Sequence, residues 1–310
     1  MLTSVHCEDW DFDRAVLGRR AKFDTDGEVI GIKSRLPHPD YDYNTAKSDH
    51  DFMLVFLDHE YTATNVELIS LNSDPMFPFV GQEVTVMGWG ETDFNAGFKE
   101  SNSNVLLSTN MNVISNDACN SSGGEYSYGY YDFHDLIARD QLCATAISGG
   151  GPCDSDIGGP LVILGDSAFA DVQVGIVSWD IDCAKEKHLP AVFSRVSAQY
   201  ACWIQAEVCK CKGSVFASEA GFDCSSIAVS SNPDVNVPTY APTVGNIIQW
   251  EGPVVTKSPT YAPTSFSTWL GPAKTFRACS QSECHEVGKS RVLETFSLEV
   301  MQIMVASAKV

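Results

Sequence analysis

Seven histidines and eleven cysteines are the side chains of this 310-residue sequence whose types could carry catalysis or hold a metal. An imidazole titrates near neutral pH and can act as a general base. A lone histidine is more often a surface or hydrogen-bonded residue, so composition alone selects none of the seven. No CxxC pair occurs, and the many cysteines read as disulfides of an oxidising, extracellular-type compartment. Cys209, Cys211 and Cys224 form the one cluster to weigh as a zinc site; their spacing fits no common zinc motif, and disulfide pairing is the better reading. Asp24-Thr25-Asp26-Gly27-Glu28 has the acidity of a calcium loop but lacks the ligand pattern of one. No metal and no cofactor is therefore expected. Asn120-Ser121-Ser122 is a glycosylation sequon, usable in an exported protein.

The elements that must position any such group are legible from the patterning. Up to residue 209 the chain runs in short apolar or alternating stretches, at 29–32, 52–57, 84–89, 105–108, 161–164 and 172–179, cut by Gly, Pro, Asn and Asp. That is the signature of an all-β sandwich or barrel. One helix is predicted over 197–208, where Tyr200, Trp203, Ile204 and Val208 share a face. Residues 210–231 form a Cys-containing extension, and 232–272 a Pro/Thr/Ser-rich linker with PTYAPT at 238–243 and again at 259–264. Such a linker buries too little apolar surface to fold alone. The tail, 273–310, carries Cys279, Cys284 and an amphipathic run at 287–309, with no function assigned. Forty acidic residues against twenty basic ones give a net charge of -20. Phosphates are repelled, so nucleic acid is excluded as a partner while basic proteins are not. No apolar run reaches the roughly 18 residues that a spanning helix needs.

Seven short motifs, in order, give the first two-thirds of the chain an identity. Leu2-Thr3-Ser4-Val5-His6-Cys7 resembles the LTAAHC segment of the chymotrypsin/trypsin-like (S1-type) serine proteases. His38-Pro39-Asp40-Tyr41 is similar to that family's HPxY, and Asp51-Phe52-Met53-Leu54-Val55 to its DIALL strand. Gly88-Trp89-Gly90, Gly158-Gly159-Pro160-Leu161, Gly175-Ile176-Val177-Ser178-Trp179, and Phe193-Ser194-Arg195-Val196 with Trp203-Ile204 follow in the family's order. The resemblance covers residues 1–209 and implies a chymotrypsin-like pair of six-stranded barrels with a C-terminal helix. It also implies acyl transfer: His6 as base, Asp51 (with Asp49 a rival two residues away) holding the imidazole, and Ser178 bonding that Asp. The disulfides implied are Cys119–Cys143 and Cys153–Cys183.

The match breaks where the nucleophile belongs. The family's C-x-G-D-S-G-G-P reads Cys153-Asp154-Ser155-Asp156-Ile157-Gly158-Gly159-Pro160 here, without a gap, and Ile157 takes the serine's place. Loss of the nucleophile costs on the order of a millionfold in turnover. Ser155 could serve only after two residues were deleted before it and two inserted after it. It falls instead at the oxyanion turn, whose N–H donors are those of Ser155 and Ile157. The substrate pocket changes too: Gly151 stands at the floor, where trypsins carry Asp, and Trp179, Asp180 and Ala191 stand at the walls. The family's activation ammonium pairs with the residue mapped to Asp156. The chain opens inside the LTAAHC-like segment, with Cys7 lacking the partner that the family gives it. A front segment holding the first strands, that cysteine and a signal peptide is thus expected upstream, leaving the first barrel incomplete. The resulting expectation is a secreted pseudoprotease that binds a protein or peptide in the old cleft; the alternative is a secreted serine-type endopeptidase, acting through an acyl-enzyme, whose sequence here is incomplete or wrong at Ile157.

Overall fold

β-branched and aromatic residues alternating with polar ones build the strands, and a ring of them closes in the second half of the chain. The computed structural model describes residues 1–62, 66–92, 102–126, 128–184, 189–210, 222 and 224. The PTYAPT linker, Cys211, the Cys279 and Cys284 tail and the 287–309 run lie outside these.

Near the start, β1 (Leu2–Thr3), β2 (Arg14–Leu17), β3 (Glu28–Pro37) and β4 (Met53–Leu57) form a four-stranded antiparallel sheet ordered β1-β4-β3-β2. It is open at both edges among the described residues. Met53 and Val55 of β4 pack with Val5 and Phe12 from the segment between β1 and β2, all fully or almost fully buried. The short strand β5 (Ser70–Leu71) follows.

The second half contributes β6 (Glu83–Gly88), β7 (Leu107–Ile114), β8 (Gly123–Tyr126), β9 (Gly129–Asp132), β10 (Gln141–Ala146), β11 (Pro160–Ile163), β12 (Val172–Trp179) and β13 (Ala191–Arg195). Because β11 pairs with both β6 and β12, the order β11-β6-β7-β10-β13-β12 closes on itself. Closure removes the exposed edges that an open sheet would present. Inside the ring, Val84 and Val86 of β6 meet Met111, Val113, Leu142, Leu161 and Phe193. The alternation is clean along β7, where Met111 and Val113 point inward and Asn110 and Asn112 outward. The pair β8–β9 stands apart, and β5 adds to β12 in parallel. Of the expected runs, only 105–108 is displaced. Val105 makes an isolated bridge to Ala21, and the strand proper begins at Leu107.

Two helices matter for support. α1 (Asn116–Asn120) is capped by the Ser115 side chain and carries Cys119, which is bridged to Cys143 of β10. α2 (Val196–Gln199) continues through a wider π turn at Tyr200–Ile204 and resumes to residue 210. Val196, Trp203 and Ile204 from this helix pack on Phe52, Leu54 and Ile176, so it covers the seam where both sheets contribute. Cys209 near its end is bridged to Cys224, and Cys202 is also disulfide-bonded. The zinc alternative for Cys209 and Cys224 is thereby overturned. Bridges of this kind each contribute about 2–4 kcal/mol. The carboxylates of the calcium-like loop disperse: Asp26 approaches Arg19, and Glu28 accepts from the Thr62 N–H and hydroxyl.

His38 is sealed beneath that helix, with its Nε2 3.3 Å from Gln199 Oε1 and its ring 4.7 Å from Trp203 and 4.8 Å from His50. Burial, aided by the neighbouring His50 and opposed by Asp40 and Gln199, lowers its pKa to about 4. The folded state therefore resists a proton that the unfolded chain accepts at its ordinary value, so stability falls as pH drops between the two. Urea unfolding across that window should show a loss of up to about 3 kcal/mol attributable to His38. The His38→Phe variant should flatten that part of the profile.

Candidate functional site

Asp51 is the residue around which the candidate site is organised. It lies in the loop just before β4, has no exposed surface, and is presented by a backbone kink at His50 (φ 58°). The His50 N–H donates to Asp140 at 2.7 Å, which fixes that kink from the second half of the chain. Ser194 of β13 donates to the Asp51 carbonyl at 2.9 Å.

A buried carboxylate is costly unless donors surround it. Oδ1 accepts from the Ser4 hydroxyl at 2.6 Å, the Val5 N–H at 2.7 Å and the His6 N–H at 3.3 Å. Oδ2 accepts from the Ser178 hydroxyl at 2.6 Å and lies 2.9 Å from His6 Nδ1. Asp51, and not Asp49, is thus the partner of His6; Asp49 instead stands 3.8 Å from His50 Nδ1. His6 itself sits on a single 3₁₀ turn, Val5–Cys7, whose first N–H groups need an outside acceptor. Ser4 caps the turn by accepting from the His6 N–H at 3.0 Å while donating to Asp51. Sequence comparison gave no reason to single out Ser4. The hydrogen bond to Asp51 raises the His6 pKa, helped by Asp51's charge and opposed by burial.

His6 Nε2, the atom that would take a proton from a nucleophile, faces the Tyr41 hydroxyl at 3.3 Å. Burial, with the Asp51 charge nearby, pushes this phenol up to about 12, so it is not an activated nucleophile. Ile157 packs against the cluster of Val5, Cys7, Phe12, Met53 and Val55, of which Val5 and Cys7 flank His6. Cys7 is buried and free, and burial raises its thiol to about 12, which makes it inert.

The 153–158 turn is held firmly against this cluster. Gly158 (φ 85°) packs where an added Cβ would lie 2.7 Å from Cys7 Sγ, so only glycine fits. Thr3 donates to the Gly158 carbonyl at 3.2 Å, and the Gly158 N–H reaches Val177 O at 2.9 Å. Ser155 takes a left-handed conformation (φ 73°) that normally favours glycine. Its hydroxyl is exposed and accepts from Asn102 at 3.3 Å. Asp156 turns inward and accepts from the Gly90 N–H at 2.7 Å and the Cys153 N–H at 3.1 Å.

The pocket positions close on one another. The Gly151 N–H donates to Cys183 O at 2.8 Å, and an added Cβ on Gly151 would lie 2.8 Å from Ala184 Cβ and 3.1 Å from Met111 Cε. Ala184 and Ala191 are fully buried in the barrel core. Cys153 and Cys183 are bridged, which ties the turn to this wall. Trp179 stacks on Phe133 with centroids 5.3 Å apart, and its indole N–H is buried without a hydrogen-bond partner. Burial, reinforced by Asp154, raises Asp180 to about 8, against the Cys183 N–H that it accepts. Chemically, this arrangement offers an oriented base beside a closely packed wall.

The family model described as Trypsin matches residues 1–204. The chain is 29% identical over 181 residues to CLIP domain-containing serine protease B10 of Anopheles gambiae, covering 58% of this chain and 45% of that protein. It is 32% identical over 174 residues to Glucanase inhibitor protein 2 of Phytophthora sojae, covering 56% and 54%. The chain thus spans about half the length of these relatives. The solved structure of neuropsin, a serine protease expressed in the limbic system of mouse brain, aligns with a TM-score of 0.55 at 25% identity, covering 67% of this chain and 83% of that one. The two-barrel fold is therefore chymotrypsin-like.

Replacing Asp51 with Asn should lower the His6 pKa toward its ordinary value, readable as an imidazole ¹⁵N titration. The sign follows from linkage: a raised folded pKa stabilises below the unfolded value, and that share is lost as pH rises through the folded one. Misplaced donors around the new amide should cost a further loss on the order of 2–4 kcal/mol in denaturant unfolding.

Proposed function

The chain belongs to the trypsin family, and on that premise we propose that it is a non-catalytic serine endopeptidase homologue that acts by binding another protein. One observation carries this reading: the nucleophile position is Ile157, packed among apolar residues, while His6 Nε2 is met by the unactivated Tyr41 hydroxyl. Isoleucine has neither a proton to give nor a lone pair to attack with. The closed contact between Gly151 and Cys183, with Ala184 buried behind it, further supports a cleft that no longer admits a long substrate side chain. That one relative is named for inhibition of a glucanase, and not for proteolysis, supports a binding role within the family. In this reading Ser155 and Asp180 shape a contact surface at the old cleft, and Asp51, Ser178 and Ser4 keep His6 in place as architecture. The bridges Cys119–Cys143 and Cys153–Cys183 support an extracellular setting.

A second reading, a serine-type endopeptidase, draws on the intact His6–Asp51–Ser178 hydrogen bonds. It requires a hydroxyl delivered to His6 Nε2, and Ser155 is the candidate in the 153–158 turn.

Treatment of the full chain with a fluorophosphonate probe separates the two. No labelling is expected, and labelling at Ser155 would establish the second reading. The Ile157→Ser variant should gain labelling at residue 157. It should still fail to turn over peptides with Lys, Arg or Phe before the scissile bond, because Gly151 is closed against Cys183 with Ala184 and Met111 packed behind it.

A further inference from the structure

Asp156 is a largely buried carboxylate whose placement the roles above do not explain. Its two backbone donors, Gly90 N–H and Cys153 N–H, bring no net charge. The space is tight: a Cβ on Gly88 or Gly90 would collide with the carboxylate, which is why both flanking residues of Trp89 are glycine.

Lys22 approaches the same place from the other half of the chain. Its ammonium donates to the Trp89 carbonyl at 2.8 Å, within the peptide unit whose N–H, that of Gly90, bonds Asp156. Trp89 answers by donating its indole N–H to the Arg20 carbonyl at 2.9 Å. The segment is locked on its other side as well: the Lys22 N–H donates to Asn104 O at 2.7 Å, and the Leu106 N–H to Arg20 O at 2.9 Å. Lys22 is therefore held by its backbone on the segment leading into β7 and by its head group just after β6.

We propose that Lys22 is a positioning residue, the internal counter-charge of Asp156, and that through Asp156 it sets the shape of the 153–158 turn. A cation polarises the Trp89–Gly90 peptide in the direction that strengthens Gly90 N–H donation, and its charge acts on the carboxylate directly through a low-dielectric region. The titration behaviour agrees. Burial raises Asp156 to about 6 while Lys22 and the two N–H groups pull it down; burial lowers Lys22 while Asp156 pulls it up. With Lys22 in place the carboxylate is ionised at neutral pH and grips Gly90 and Cys153. Without it, a larger share of Asp156 is protonated at neutral pH, and one of those backbone bonds is weakened. Lys22 acts on the turn whether the cleft binds or cleaves, so this inference stands apart from the functional reading.

The test is a carboxyl ¹³C titration of Asp156 in the full chain labelled at Asp, with the resonance assigned by the Asp156→Asn variant. Lys22→Met should raise the midpoint by about one pH unit or more, a tenfold change in proton affinity. Lys22→Arg should bring it back, because charge and not a particular head group is required. An unchanged midpoint in Lys22→Met, or failure of Lys22→Arg to restore it, overturns the proposal. Should Lys22→Met not fold, the reciprocal measurement decides. In Asp156→Asn the Lys22 Nζ ¹⁵N titration must move down from its wild-type midpoint, and an unmoved midpoint overturns the proposal equally.

Discussion

A carboxylate without solvent contact has to be surrounded by donors, and the two halves of the chain meet around that requirement at Asp51. From the capped turn after β1 come Ser4, Val5 and His6; from the closed barrel comes Ser178, with Ser194 holding the backbone. Each of these bonds crosses a long stretch of sequence, so the carboxylate sums the register of β1, β4, β12 and β13 at one point. Removing the charge would leave several donors facing each other with no common acceptor. The cost of that arrangement explains why the constellation can persist as architecture even where a nucleophile is absent.

Around this hub the packing is largely apolar. Ile157 adds apolar surface beside Val5, Cys7 and Tyr41, where a hydroxyl would need a polar path to His6 Nε2. On the far side of the turn, Ala184 and Met111 of the barrel core leave little room for a side chain at Gly151. In the proposed reading these features are concordant, since an apolar residue at the nucleophile position and a tight wall at Gly151 act together against attack and side-chain recognition. The turn is nonetheless well braced, by the Cys153–Cys183 bridge, by Gly158 against Cys7 and by Asp156 against Gly90. A rigid, acidic loop of this kind suits recognition of a partner's surface.

Much of this was legible in the sequence because the motifs report backbone constraints. Gly158 must be glycine for its left-handed φ and its contact with Cys7, and Gly88 and Gly90 for Asp156 to fit between them, so those tags survive whatever the chemistry does. The period-two pattern likewise placed β6, β11 and β12 to within a residue. What pattern could not reach were contacts set by tertiary approach. Ser4 looks like an ordinary helix cap until Asp51 arrives from 47 residues away. Tyr41 is a landmark whose hydroxyl has no assigned partner until the turn brings His6 Nε2 to it. Lys22 sits in a polar stretch resembling many solvated loops, and only the fold carries it to Trp89. Asp156 was expected to depend on an N-terminal ammonium, yet two backbone N–H groups and Lys22 already attend it.

The claim that the Asp51–His6 pair is kept without hydrolysis is tested most directly by incubating the full chain with a positional-scanning peptide library and reading the products by mass spectrometry. The account predicts no cleavage above the buffer blank at any residue preceding the bond. Cleavage that disappears in the His6→Ala variant would contradict it.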